Sequence, residues 1–97
     1  MFKVEFSEDA IDDLFWFRKN EQNQIMDGIK IYLCHEPTLP TISRKRLRPN
    51  ETSEWELRLG KFRVFYDVNE DEELVSIEAV GMKVGNRVYF RGKEQTL

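Results

Sequence analysis

The sequence predicts an α+β fold: an N-terminal strand, an antiparallel helical hairpin packed on a mainly antiparallel β-meander, and a basic C-terminal tail. Three observations predict it. Apolar residues recur at helical spacing between Ala10 and Leu33. From Glu54 to Val68 they alternate with charged ones, the period of a strand with one buried face. Pro37 and Pro40 separate the two regimes.

Phe2, Val4 and Phe6 alternate with Lys3 and Glu5, which predicts a short first strand over Met1 to Phe6. Ser7 ahead of Glu8 and Asp9 is a helix start: the hydroxyl caps free N–H groups and the acids suit the positive helix end. Ala10, Ile11, Leu14, Phe15 and Phe17 then supply an inward stripe to about Lys19. A second helix follows over about Glu21 to Cys34, with Ile25, Met26, Ile29, Tyr32 and Leu33 on its buried face. Gly28 inside it costs about 1 kcal/mol relative to alanine and suggests a close helix–helix approach. The prolines end this hairpin and open a loop to about Arg48.

The second half reads as a meander. Trp55, Leu57 and Leu59 alternate with Glu54, Glu56 and Arg58; Gly60-Lys61 suits a two-residue turn; Phe62, Val64, Tyr66 and Val68 alternate with Arg63, Phe65 and Asp67. Glu73 to Val80 is apolar enough for a central third strand, and Gly81 is expected to break it. From Gly85 onward the tail suits either a strand or a short helix.

A chain of 97 residues suits one small domain, and no apolar window is long enough to span a bilayer. Met1 to Phe6 is too short and too charged for a signal peptide. Cys34 is the only cysteine, so no internal disulfide forms; this fits a reducing, cytoplasmic setting. Cys34 and His35 are neighbours that point about 100° apart on a helix, so Cys34 reads as a packing residue. No cluster of metal ligands has workable spacing, and no cofactor is expected. The net charge is −3, which argues against a simple nucleic-acid binder, but the signs are sorted. Arg44, Lys45, Arg46 and Arg48 form one basic run and Lys83, Arg87, Arg91 and Lys93 another, with acids from Asp67 to Glu73 between them. A surface sorted this way can bind an anion while the whole stays acidic.

The turn at 60–61 sets the hairpin register: Leu59 faces Phe62, Arg58 faces Arg63 and Leu57 faces Val64. The apolar set then packs on the helices, and the opposite face carries two arginines directly across from one another. Like charges so placed destabilise a sheet. Either Glu56 and Asp67, on the same face, neutralise the pair, or a bound anion such as a phosphate does. Lys83 follows the third strand closely, and Tyr89 lies in a basic stretch, a combination that suits single-stranded RNA.

The element order, with Trp55-Glu56-Leu57-Arg58-Leu59-Gly60-Lys61-Phe62-Arg63-Val64-Phe65-Tyr66, Val80-Gly81-Met82-Lys83 and Asn86-Arg87-Val88-Tyr89, resembles the RelE/ParE superfamily of toxins from type II toxin–antitoxin systems. The resemblance covers nearly the whole chain. It implies a metal-independent, ribosome-dependent mRNA endoribonuclease in which the RNA 2′-hydroxyl attacks the adjacent phosphate. It also implies a cognate antitoxin in a hetero-oligomer. By position, Arg63 matches an arginine that holds the transition-state phosphate and Arg58 a basic position on the preceding strand. Lys83 falls where the family often has an arginine proposed as general acid, and Tyr89 matches a tyrosine proposed to orient the nucleophile or stack a base. Lys45, Arg46, Arg48, Lys61 and Arg87 are the expected RNA contacts. Two departures stand out: Glu56 occupies a position that is lysine in some active members, and Lys83 lacks the guanidinium fork. The resemblance leaves two other readings open, a ParE-type inhibitor of DNA gyrase and a weakly toxic member whose main activity is antitoxin binding.

Overall fold

A computed structural model describes residues 1–95. Its strands are β1 (Lys3–Phe6), β2 (Arg44–Arg46), β3 (Trp55–Leu59), β4 (Phe62–Asn69), β5 (Leu74–Val84), β6 (Arg87–Phe90) and β7 (Lys93–Gln95). Two helices, α1 (Glu8–Trp16) and α2 (Lys19–Leu33), pack on one sheet of order β2-β3-β4-β5-β6-β7, with β1 parallel to β5. The α+β expectation holds, with a helical hairpin on a mainly antiparallel sheet.

Ser7 caps α1 as expected, its hydroxyl accepting from the Ala10 N–H at 3.1 Å. The inward stripe differs from the predicted one. Ala10, Asp13, Leu14 and Phe17 are buried, whereas Ile11 and Phe15 are 40% and 68% exposed. Residues 10, 13, 14 and 17 make one i, i+3, i+4, i+7 face, which takes in Asp13 and leaves Ile11 and Phe15 on its flanks. In α2, Ile25, Ile29 and Leu33 are buried as predicted. The close approach at Gly28 is made to the hairpin rather than to α1: a Cβ there would lie 2.5 Å from Leu59 Cδ1.

The predicted loop to Arg48 contains a strand. Arg44–Arg46 pairs with Leu57–Trp55, and its arginine run hid the alternation that marks a strand. Arg44 also ties this segment to α2, donating to the carbonyls of Tyr32 and Leu39, both at 2.9 Å. In β3 and β4 the predicted register is observed residue for residue: Leu59 with Phe62, Arg58 with Arg63, Leu57 with Val64.

Gly81 does not break β5, which runs on to Val84. A Cβ at Gly81 would lie 2.8 Å from the Tyr89 carbonyl oxygen and 2.9 Å from the Phe90 ring, so glycine is required by the crossing of β6. The described part of the tail forms two strands, β6 and β7, with Gly85 and Gly92 at positive φ in the turns; Thr96 and Leu97 lie outside the described residues.

One edge of β5 carries β1 at Leu74–Ile77 and β6 at Met82–Val84, leaving a gap between them. The start of α1 fills it. Ser7 Oγ donates to the Glu78 carbonyl at 3.0 Å, and the Val80 N–H donates to Asp13 Oδ2 at 3.0 Å. Asp13 is 3% exposed, and burial pushes its carboxyl upward against the opposing pull of the Val80 bond and Arg91. Arg91 Nε lies 2.9 Å from Asp13 Oδ1 and latches the β6–β7 turn onto α1. An unpaired buried strand N–H would cost about as much as a lost hydrogen bond, which explains an aspartate in a core stripe. No helix among the described residues is long and apolar enough to cross a membrane.

A candidate anion-binding face on the sheet

Strand register decides which predicted site residues meet. Trp55, Leu57, Phe62, Val64 and Tyr66 join the core against the helices. Arg58 and Arg63 therefore project from the other face, opposite each other. Arg63 pairs with Gly81 on β5, so Lys83, two residues on, shares that face. Lys45 pairs with Glu56 and joins it as well. Four cations from four strands thus border one region of the outer face.

Both arginines have internal partners. Glu56 is 8% exposed, and its Oε1 lies 3.1 Å from Arg58 Nε. Arg63 Nη1 donates to the carbonyls of Gly60, at 2.5 Å, and Phe62, at 2.8 Å. Arg63 Nε is enclosed with no acceptor among the described residues. Burial lowers the Arg63 pKa; the Glu56 charge opposes this and the Arg58 charge adds to it. Asp67 does not reach the arginines, because its Oδ1 accepts from the Glu54 N–H at 2.7 Å. The like-charge pair is thus partly neutralised by Glu56 alone; only Nε of Arg58 and Nη1 of Arg63 are engaged, so both guanidinium groups keep donors for a further acceptor.

The other predicted residues lie elsewhere. Tyr89 pairs with Met82, which pairs with Phe62, so Tyr89 falls on the helix side of the sheet and does not join the arginines. Arg46 shares the Trp55 side, its guanidinium 5.7 Å from that ring and 3.1 Å from Glu54 Oε2. Lys61 reaches Glu21 at 3.3 Å, and Arg87 reaches Glu94 at 3.4 Å. Arg48 is exposed beyond the end of β2.

Two features of the outer face were not anticipated. Phe65 is fully buried on it, its ring 5.4 Å from that of Phe90. Phe65 interrupts a charged row, which is a signal for cover on that face, but the cover is Phe90 of β6, placed there by strand pairing. On the far side of this aromatic pair the face turns acidic, with Glu5 and Asp67 flanking Ser76. Burial, and then the Asp67 carboxyl beside it, push the Glu78 pKa up. The face is cationic toward the β3–β4 turn and acidic at its other end. Among the described residues no group of three or more His, Cys, Asp or Glu could hold a metal ion.

These features define a class: a two-layer α+β fold with an arginine-bearing hairpin. No protein-family model matches the chain, and no curated protein matches it in sequence. Solved structures do. The toxin–antitoxin complex RelBE2 from Mycobacterium tuberculosis is similar at a TM-score of 0.74 and 22% identity, over 84% of this chain and 91% of that one. The RelE–RelB complex from Pyrococcus horikoshii OT3 gives 0.65 and 21%, over 81% and 91%. The YoeB–YefM complex from Staphylococcus aureus gives 0.63 and 18%, over 87% and 99%. The chain has the RelE-like fold.

Proposed function

We propose that this protein is the toxin component of a type II toxin–antitoxin pair and cleaves mRNA on the ribosome. The observation that carries this reading is the convergence of Arg58, Arg63 and Lys83 on one face of a RelE-like sheet. Cleavage by 2′-hydroxyl attack needs a proton acceptor, charge stabilisation at the phosphate, and a donor to the leaving oxygen. Arg63 and Arg58 hold the phosphate oxygens, and this electrostatic stabilisation contributes most. Lys83 donates to the leaving oxygen. Tyr89 is on the wrong side of the sheet to take the proton, so the role passes to Glu56, the carboxylate beside Arg58. Lys45 on the same face adds salt-dependent attraction for the RNA backbone. A cognate antitoxin is the expected partner, its acidic side chains competing for the Arg58/Arg63 face, and the cytoplasm is the expected compartment.

The test is induced expression in cells with and without the antitoxin, with mRNA ends mapped. Codon-phased cuts that vanish in Arg63→Ala support the reading. A second reading is favoured by one observation: Arg58 is already tied to Glu56, as in a surface built for a protein partner. Growth arrest with intact mRNA and trapped gyrase cleavage complexes would select a gyrase inhibitor. Soluble expression with no growth effect would select an antitoxin-binding protein.

A further inference from the structure

We infer that the groove between the helical hairpin and the β3–β4 turn is a nucleobase subsite, in which a base stacks on Trp16 while the neighbouring phosphate occupies the Arg63 face; this rests on the RNA-cleaving reading. The groove measures about 390 Å³ and is lined by Trp16, Phe17, Arg18, Glu21, Lys61 and Met82. Such a volume is within the range of small-ligand sites. Trp16 is 49% exposed at the end of α1, held edge-on by Phe17 at 5.3 Å. A half-exposed indole beside a turn provides aromatic surface on which any base can stack.

The rim has two cations to one carboxylate. Glu21 accepts from the Arg18 N–H at 3.1 Å and from Lys61 at 3.3 Å, so the carboxylate is engaged and the rim retains an excess positive charge. This suits a polyanion more than an acidic or neutral peptide. Register also places Tyr89 beside Met82, on the groove's side of the sheet. The aromatic that the sequence suggests for stacking is thus on this side, away from the arginines.

The groove and the anion face share one turn, since Lys61 lines the groove and the turn carbonyls bond to residues of the anion face. The Gly60 carbonyl accepts from Arg63, and the Lys61 carbonyl accepts from the Lys83 N–H at 2.8 Å. Gly60 has φ +59°, and nothing lies within 4 Å of where its Cβ would be, so the path over the turn is open. A single strand anchored by one phosphate at Arg63 can round Gly60 and set its next base on Trp16.

The test uses a 2′-O-methyl RNA trinucleotide, which lacks the attacking hydroxyl, and tryptophan emission. Trp55 is 4% exposed, so a saturable quench reports Trp16; the Trp55→Phe variant should show the same quench. In Trp16→Leu, affinity should fall about tenfold, in line with the loss of one stacked base. Trp16→Phe, which keeps a π-face, should retain most of it. An abasic trinucleotide should bind wild type as weakly as the full one binds Trp16→Leu. Equal affinity in wild type and Trp16→Leu would overturn the inference, as would no quench at all, the result expected if an apolar peptide is the true occupant. Arg63-dependent mRNA cuts persisting in cells would then leave the cleavage reading standing, whereas their absence would sink that reading itself.

Discussion

On the helix side of β3 and β4, Trp55, Leu57, Val64 and Tyr66 are each at most 4% exposed. One residue along the same strands, on the other side, stand Glu56, Arg58 and Arg63. The first set is held by close packing, in which many small contacts share the energy and no single partner is decisive. The second is held by named partners: Glu56 for Arg58, two backbone carbonyls for Arg63. Damage to the packed side should therefore appear as lost stability and damage to the charged side as lost function.

The largest expected effect tests the packed side. Leu57→Ala removes a fully buried side chain and should cost about 2–5 kcal/mol, read as a lower urea midpoint. A loss below about 1 kcal/mol would break the contrast. Next, Arg63→Ala should reduce mRNA cleavage about 10²- to 10³-fold, the scale for losing one preorganised charge donor. Its denaturation midpoint should move by only about 1 kcal/mol, since two hydrogen bonds to exposed or half-buried carbonyls are lost. An Arg63→Ala protein that unfolds as readily as Leu57→Ala would show that the charged face is structural.

Gly81→Ala probes where the two sides share a wall. The new methyl would press on the Tyr89 carbonyl and the Phe90 ring, costing about 1–3 kcal/mol and loosening the cover over Phe65. Amide exchange should quicken in β6 before β4. The smallest effect sharpens the acidic end of the charged face. The Glu78 pKa is raised, so its contribution to stability is full below the ordinary value of 4.5 and is lost as pH rises through the folded value. Glu78→Gln should therefore melt slightly higher than wild type at pH 7, with the gain vanishing below pH 4.5. A gain that persists in acid would assign the effect to packing.

The register of β3 and β4 was legible because a two-residue turn leaves one pairing that buries Trp55, Leu57, Val64 and Tyr66 together. The Arg58–Arg63 juxtaposition followed from it. Arg44–Arg46 was not legible as a strand: its three cations carry no period, and only the pairing with β3 makes it one. Ile11 and Phe15 were misplaced because Asp13 takes a core position to satisfy the Val80 N–H, a partner 67 residues away.

What the sequence determined by itself was local: periodicity, caps, one tight turn, and hence the face on which Arg58 and Arg63 sit. What only the tertiary structure decided was which distant strands share that face. Lys83 joins the arginines and Tyr89 does not, because β5 continues through Gly81 and the pairing of Met82 with Tyr89 sets the parity of the tail. Side-chain direction alternates with every residue, so one residue of register in a late strand moves a side chain to the other face of the sheet. No local pattern in Gly85 to Tyr89 carries that parity; it is set by the neighbouring strand.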